Sequence, residues 1–300
     1  MNNILISAPN FQKDYPKLKR YFKNSKVILP KVIEKLSEEE LLPIIDKFDG
    51  VICGDDEFTS CVIDKAKRLK VIVKWGTGIN SIDVAYAHKK GIVVHNSPNA
   101  FTEPVSDTVI GFILSFARNI PKNDKIMKKG IWKKIEGYSL CEKSIGIIGM
   151  GNIGQAVARK AEALGMRVLG NDIRKIQTNF KMTDIKTLLR KSDFVSLNCS
   201  LNPTSFHLIT LKELKLMKGA VIINTSRGPV IKESDLVKAL KRGIIKGAGL
   251  DVFEKEPLSK DSELMKLNNV LLSPHNSNSS PQCYHNVHMN SIKKLFSVLN

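Results

Sequence analysis

Three residues of this chain carry the chemistry to handle a carboxylate and a proton: Arg227, Glu256 and His275. A guanidinium presents a planar fork that matches a carboxylate in two parallel hydrogen bonds. Histidine both gives and recovers a proton near neutrality. A glutamate hydrogen bonded to that histidine would hold its orientation and favour its protonated form. Spacing alone leaves plainer readings open. Arg227 before Gly228 also suits a surface turn, Glu256 before Pro257 a solvated loop, and His275 after Pro274 a satisfied core histidine.

The stretch from Ser144 to Asp172 is the one around which such groups would be organised. Ile145 to Ile148 reads as a buried parallel strand, followed by Gly149, Met150, Gly151, Asn152, Ile153 and Gly154 opening a helix. In that order Gly149 allows a tight turn, Gly151 lets the backbone approach a pyrophosphate, and Gly154 lets the helix sit close to the strand. The helix N-terminus then offers N–H groups and the positive end of its dipole to phosphates. Ile153, Val157, Ala161 and Leu164 fall on one helical face, and Gly165 reads as the C-terminal cap. Asp172, at the end of the next strand, is placed to accept the adenosine ribose hydroxyls and to repel a 2′-phosphate, which predicts NAD rather than NADP. A hydride passed to the carbonyl of a 2-oxo acid would require both a proton donor and a carboxylate clamp, the two jobs suited to His275 and Arg227.

The surrounding elements read as alternating strands and helices. Short apolar runs at Ile4-Leu5-Ile6, Val27-Ile28-Leu29, Val51-Ile52-Cys53, Val71-Ile72-Val73 and Ile92-Val93-Val94 predict a parallel sheet that lacks a GxGxxG, the candidate substrate domain. Ser37 with Glu40 and Thr210 with Glu213 are capping boxes. Glu103 to Ile120 is a long apolar helix expected to bridge into the second domain. Ile131, Trp132 and Ile135 after it form an apolar arm that would cross to a partner in a homodimer, packing within one chain being the alternative. Further strands end in Asn224-Thr225-Ser226-Arg227-Gly228, in Asp251 and in Ser273-Pro274-His275, so polar residues gather at the carboxyl edge where open α/β sheets bind ligands. Residues 281–299 read as a closing helix. The expected domains are 1–98 with 281–300, and 99–280.

Composition narrows the class. With 300 residues and 42% hydrophobic content the chain can bury two cores. The net charge of +18 comes from lysines scattered in singles and pairs such as Lys128-Lys129, which reads as a solvated surface able to steer anions, not as a nucleic-acid face. Five cysteines (Cys53, Cys61, Cys141, Cys199, Cys283) without a CxxC argue against a disulfide framework and for a reducing, cytoplasmic setting. The N-terminus has no apolar signal core, and no apolar run is long enough to span a bilayer. His285 and His288 stand at i and i+3 on the closing helix without an evident third ligand, so no metal is expected and they read as lining the cleft mouth or the outer surface.

Taken together, the motifs Trp75-Gly76-Thr77-Gly78, Gly146 to Asp172, Asn224 to Gly228, Gly249-Leu250-Asp251-Val252-Phe253 through Glu256-Pro257, and Ser273-Pro274-His275 closely resemble the D-isomer-specific 2-hydroxyacid dehydrogenase family, over nearly all of residues 45–300. The resemblance is to its phosphoglycerate dehydrogenase-like members in their short form, without the C-terminal regulatory domain. It implies two doubly wound parallel-sheet α/β domains, a Rossmann NAD-binding domain inserted in a flavodoxin-like substrate domain, commonly in a homodimer with the active site in the cleft. By the same resemblance Arg227 clamps the substrate carboxylate, His275 is the acid/base and Glu256 its partner. Asn152 and Ile153 sit on the pyrophosphate, Asp172 on the ribose, Cys199, Thr225 and Asp251 near the nicotinamide, and Gly76, Thr77 and Gly78 bind substrate through backbone N–H groups. The reaction implied interconverts a D-2-hydroxy acid and its 2-oxo acid.

Two departures shape the expectation. Asn276 to Ser280 replace the small, glycine-containing run that follows the histidine in many relatives, and Asp55-Asp56-Glu57 stand where phosphate-binding relatives offer a basic group. Acids beside a substrate phosphate would be unfavourable, which speaks against 3-phosphoglycerate. The family resemblance extends to dinucleotide-sensing corepressors, so a regulatory protein is the alternative to an enzyme.

Overall fold

The computed structural model describes residues 1–217 and 219–300. They divide into two units, residues 1–101 with 279–300, and residues 102–278.

The first unit alternates strand and helix: β1 (Asn2–Ile6), α1 (Pro9–Leu18), β2 (Ser25–Ile28), α2 (Glu38–Leu41), β3 (Gly50–Cys53), α3 (Ser60–Lys65), β4 (Val71–Lys74), α4 (Val84–Lys89) and β5 (Val93–His95). The five strands are all parallel in the order β2-β1-β3-β4-β5, the flavodoxin-like arrangement. Every residue of β3 and β4 is buried. This is why Gly-Val-Ile-Cys and Val-Ile-Val-Lys read as unbroken runs: a parallel strand covered on both faces has no solvent side to alternate toward. Leu5, Leu41, Ile45, Phe58, Val62 and Ile72 close one face, each fully buried apolar side chain contributing about 1.5–3 kcal/mol. The chain's closing helix, Pro281–Leu299, packs on β3 and β4. It comes so near that a Cβ on Gly50 would lie 2.8 Å from Leu295 Cδ1. The Ser37–Glu40 capping box is formed at α2.

The second unit begins with α5 (Thr102–Arg118) and α6 (Ile120–Met127). It continues through β6 (Ser144–Ile148), α7 (Asn152–Ala163), β7 (Arg167–Asn171), β8 (Lys181–Met182), α8 (Ile185–Lys191), β9 (Phe194–Leu197), α9 (Leu211–Leu214), β10 (Val221–Asn224), α10 (Glu233–Lys241), β11 (Gly247–Leu250) and β12 (Val270–Leu272). Its sheet is parallel throughout in the order β12-β11-β10-β9-β6-β7-β8. Starting from β6 the chain builds outward to β7 and β8, then returns to add β9 to β12 on the other side of β6. That is the doubly wound Rossmann order, and its direction reverses between β6 and β9, where such sheets bind ligands. Helix α5 packs along α7 and on β10, all within this unit. Val109, Phe112 and Ile113 supply its buried stripe. The Thr210–Glu213 box caps α9, and Gly165 ends α7 at φ +80°.

Candidate active site

The glycine turn shows why each glycine stands where it does. Gly149 adopts φ +93°, and a Cβ there would lie 2.6 Å from Cys199 N. A Cβ on Gly154 would lie 2.0 Å from Gly149 O, so this glycine lets the helix rest on the turn itself. Gly151 is different. A Cβ there meets nothing within 4 Å. It is the N-cap of α7 and brings no side-chain oxygen to the first turn, which leaves this end suited to an anion.

Asp172 follows β7 and is tied back to the turn. One carboxylate oxygen accepts the Met150 N–H at 2.9 Å, and the other accepts the Arg174 N–H at 2.9 Å and Arg174 Nε–H at 3.3 Å. Burial pushes this carboxyl up, but the hydrogen bonds from Arg174 and Met150 outweigh it and hold it below its ordinary value. Across the strand-order reversal, Asn198 and Cys199 follow β9. Cys199 is partly buried, and burial pushes its thiol up to about 11, so it is a neutral group at physiological pH. After β10, Asn224 organises the loop that carries Arg227. Its Oδ1 accepts Ser226 N–H at 3.0 Å and Oγ–H at 2.8 Å, and its Nδ2 donates to Arg227 O at 3.0 Å.

His275 and Glu256 meet. His275 Nδ1 lies 2.8 Å from Glu256 Oε2, while Glu256 Oε1 accepts the Phe253 N–H at 2.9 Å. The carboxylate is therefore held from two sides, and Nε2 is the ring nitrogen directed away from it. His275 sits at φ +50°, a left-handed conformation uncommon outside glycine. Asp251 fixes the loop around it. Its backbone oxygen accepts His275 N–H at 2.8 Å, and its carboxylate accepts Asn276 N–H at 2.8 Å and Ser277 N–H at 3.0 Å. The sequence expectation put Asp251 beside the nicotinamide. The hydrogen bonds found for its carboxylate are those that order the histidine loop.

In the first unit, Gly76, Thr77 and Gly78 form a loop laced to the residues after β5. Ser97 N–H donates to Gly76 O at 2.7 Å, Thr77 Oγ–H to Ser97 O at 3.0 Å, and Asn96 Nδ2–H to Thr77 O at 2.6 Å. Asn290 Nδ2 and Lys294 Nζ of the closing helix reach Ser97 Oγ and Asn96 O at 2.7 and 2.6 Å.

The three acids before this loop differ from expectation. Asp56 is fully buried, accepting Leu36 N–H at 2.6 Å, Gly54 N–H at 3.1 Å and the Ser7 hydroxyl, and burial pushes its carboxyl up. Asp55 pairs with the buried Lys74 at 3.0 Å, and Glu57 with Lys35 at 2.5 Å. Each carboxylate has its own structural partner, so these acids weigh less against a substrate phosphate than their number in the sequence suggests. His288 also departs from its expected place. It is 3% exposed, with the Trp75 indole N–H on its Nδ1, whereas His285 is exposed.

A family model described as D-isomer specific 2-hydroxyacid dehydrogenase, NAD binding domain, matches residues 110–277. A glyoxylate reductase of Thermococcus litoralis is 42% identical over 273 residues, 82% of this chain and 82% of that protein. The chain belongs to the D-isomer-specific 2-hydroxyacid dehydrogenase family. A hydroxypyruvate reductase of Thermotoga maritima is 36% identical over 89% of this dehydrogenase and 90% of its own length. Among solved structures, the TT0316 protein of Thermus thermophilus is similar at a TM-score of 0.88 with 30% identity, over 99% of this chain and 96% of that one. The D-lactate dehydrogenase of Aquifex aeolicus complexed with NAD and lactic acid is similar at 0.90 with 27% identity, over 99% and 95%. The protein is an NAD(P)-dependent oxidoreductase acting on D-2-hydroxy acids, and the reductases and dehydrogenases among these relatives favour an enzyme over a corepressor-like regulator.

The residues present fit a nicotinamide dinucleotide. Beyond the open space at Gly151, the buried Thr225 Oγ1 and Asn198 Oδ1 have no hydrogen-bond partner among the described residues, an arrangement that a ligand's polar groups would complete. Reading from sequence missed Asn224 as the organiser of the Arg227 loop, Arg174 as the partner of Asp172, and the burial of His288. Asn224 opens the Asn224 to Gly228 motif, but its spacing does not indicate that its amide holds the turn.

Proposed function

We propose that this dehydrogenase reduces a short 2-oxo acid with NADH, His275 Nε2 giving the proton and Arg227 clamping the carboxylate. The observation that carries the proposal is the Glu256 carboxylate, pinned by Phe253 N–H and turned onto His275 Nδ1 at 2.8 Å. A histidine so held keeps one tautomer and one orientation, as a proton donor to a carbonyl oxygen requires. When bound, the nicotinamide supplies the hydride to the carbonyl carbon. The substrate oxygen takes the His275 proton, and a 2-hydroxy acid results with the D configuration of the family.

Gly149, Gly151, Asn152, Ile153 and Gly154 are assigned to the pyrophosphate, Asp172 to the adenosine ribose, and Cys199 and Thr225 to the nicotinamide half. Asp251 is assigned to the same nicotinamide half, its carboxylate also ordering the histidine loop. NAD is favoured over NADP because the Asp172 carboxylate, held ionised, would repel a 2′-phosphate. Gly76, Thr77 and Gly78 bind substrate through backbone N–H groups, which makes the first unit the substrate domain. The glyoxylate and hydroxypyruvate reductases among the relatives support a substrate of two or three carbons. A homodimer belongs to the same reading, supported by exposed Ile120, Met127, Ile131 and Trp132 on α6 and the arm that follows it.

The test is NADH oxidation, followed by nicotinamide absorbance, across 2-oxo acids that include glyoxylate, hydroxypyruvate, pyruvate and a phosphorylated member. Turnover of at least one short acid is expected, falling a hundredfold or more in His275→Ala with NADH binding retained. Wild-type rates in that variant would overturn the acid/base role.

A further inference from the structure

A second histidine connects the two loops that carry Arg227 and Glu256. His207 lies in the segment between β9 and α9. Its backbone N–H donates to Pro229 O at 2.8 Å, Ile209 N–H to Val230 O at 3.1 Å, and Lys232 N–H to Ile209 O at 2.9 Å. Residues 207–209 therefore run as a short parallel ladder beside the chain that leaves Arg227. The His207 side chain engages the other loop, with Nε2 2.7 Å from Glu254 Oε1, two residues before Glu256. Glu254 Oε1 also accepts Glu233 N–H at 3.2 Å, and Glu254 N–H donates to Glu233 Oε2 at 3.2 Å. The Phe206 ring stacks on the imidazole at 4.1 Å and 25°.

Two facts show that the crossing is tight and specified. A Cβ on Gly228 would lie 1.8 Å from Phe253 C and O, so the Arg227 and Glu256 loops touch backbone to backbone. His207 itself adopts φ +49°, a conformation that a non-glycine residue keeps only where its surroundings over-determine it. The charges around it are Glu254 and Glu233, whose carboxyl is pushed up by burial. A donor from His207 satisfies Glu254 where two carboxylates stand close.

We propose that His207 is a positioning residue, setting the distance between the Arg227 clamp and the Glu256–His275 pair by joining Pro229 to Glu254. It acts through those two residues, and the proposal rests on the reading of the site given above. Displacing a catalytic group by about 1 Å can cost a hundredfold in rate, so a tie of this kind bears on kcat.

The experiment compares His207→Ala, His207→Gln and His275→Ala in the full chain, with glyoxylate and hydroxypyruvate as probes and NADH binding measured by fluorescence. His207→Ala is expected to lower kcat about tenfold or more while the NADH Kd stays within about twofold. His207→Gln, whose amide can still donate to Glu254, should recover to within about threefold of wild type. Wild-type kcat in His207→Ala, or a loss shared equally by NADH affinity and not rescued by glutamine, overturns the proposal. If His207→Ala fails to fold, Glu254→Ala removes the same tie from the other side, and wild-type kcat there overturns it equally. Full turnover in His275→Ala would instead defeat the reading of the site, whereas a dead His275→Ala beside a fully active His207→Ala defeats this proposal alone.

Discussion

Trp75 donates its indole N–H to Nδ1 of His288 at 2.9 Å. Because that nitrogen accepts, the proton of the neutral ring sits on Nε2, which faces Asp14 Oδ2 at 3.3 Å. Burial depresses the basicity of His288 and outweighs the pull of Asp14 in the other direction. Trp75 immediately precedes Gly76, so the histidine steadies the entry to the Gly76–Gly78 loop, the proposed substrate site.

This makes stability depend on pH in a definite direction. The folded state holds His288 neutral, with its protonation displaced below the ordinary histidine value of about 6.5, so the unfolded chain binds the proton more readily. The contribution is complete above about pH 6.5 and is lost as pH falls below it toward the depressed folded value. Urea unfolding at pH 7.5 and pH 5 should show this loss in the wild type and a smaller one in His288→Asn, whose amide oxygen can still accept from Trp75. An identical loss in both would exclude His288 as its source. His288→Ala should cost about 1–3 kcal/mol by leaving the indole N–H unpaired.

The Asp172 interactions predict how the cofactor preference responds to mutation. On the proposed reading, Asp172→Ala removes both a ribose acceptor and the charge set against a 2′-phosphate, and it leaves Arg174 without its carboxylate. NADH affinity should fall about tenfold, the worth of roughly one charge-assisted hydrogen bond, while NADPH is affected less. Binding titrations with the two cofactors check this, and an unchanged ratio removes the specificity argument. The variant should also lose about 1 kcal/mol of stability, since Met150 N–H loses its acceptor.

The exposed arm predicts an assembly state. Trp132 is 84% exposed, with Ile131, Ile120 and Met127 also open to solvent. Large aromatic side chains in the centre of an interface carry much of its energy, so Trp132→Lys should weaken self-association at least tenfold. Sedimentation equilibrium on both proteins is the measurement, and a monomeric wild type would end the dimer reading.

Legibility from sequence followed the range of the interactions. The strands of both sheets other than β8, and the Ser37 and Thr210 capping boxes, are set by residues within a few positions, and the sequence places them to within a residue or two at their ends. The glycine turn is legible because its strand, glycines, helix and closing acid follow one another in a single local run, although the close approach at Gly149 is to Cys199 on a distant strand end. His288 was not, since its partner Trp75 lies 213 residues away and a helical i, i+3 spacing with His285 says nothing about burial. The sequence shows Asp55, Asp56 and Glu57 only as acids, because their partners Lys74, Ser7 and Lys35 come from other elements. The two-residue strand β8 had too little pattern to be seen at all.

Two glycines of one motif should respond oppositely to the same substitution. Gly154→Ala would place a methyl group 2.0 Å from Gly149 O, a backbone atom that cannot rotate away, so α7 must shift from the turn. That variant should lose about 2 kcal/mol or more of stability, in the range of overpacked cores. Gly151→Ala meets nothing within 4 Å, and its φ of −70° is open to any residue. It should melt as the wild type does, yet bind NADH at least tenfold more weakly, because the methyl group would stand where the proposed pyrophosphate site meets the helix. Thermal melts and NADH titrations on the pair separate the two roles. A Gly151→Ala protein that binds NADH normally would move the pyrophosphate away from this turn, and a Gly154→Ala protein of normal stability would mean that α7 can stand off the turn without loss.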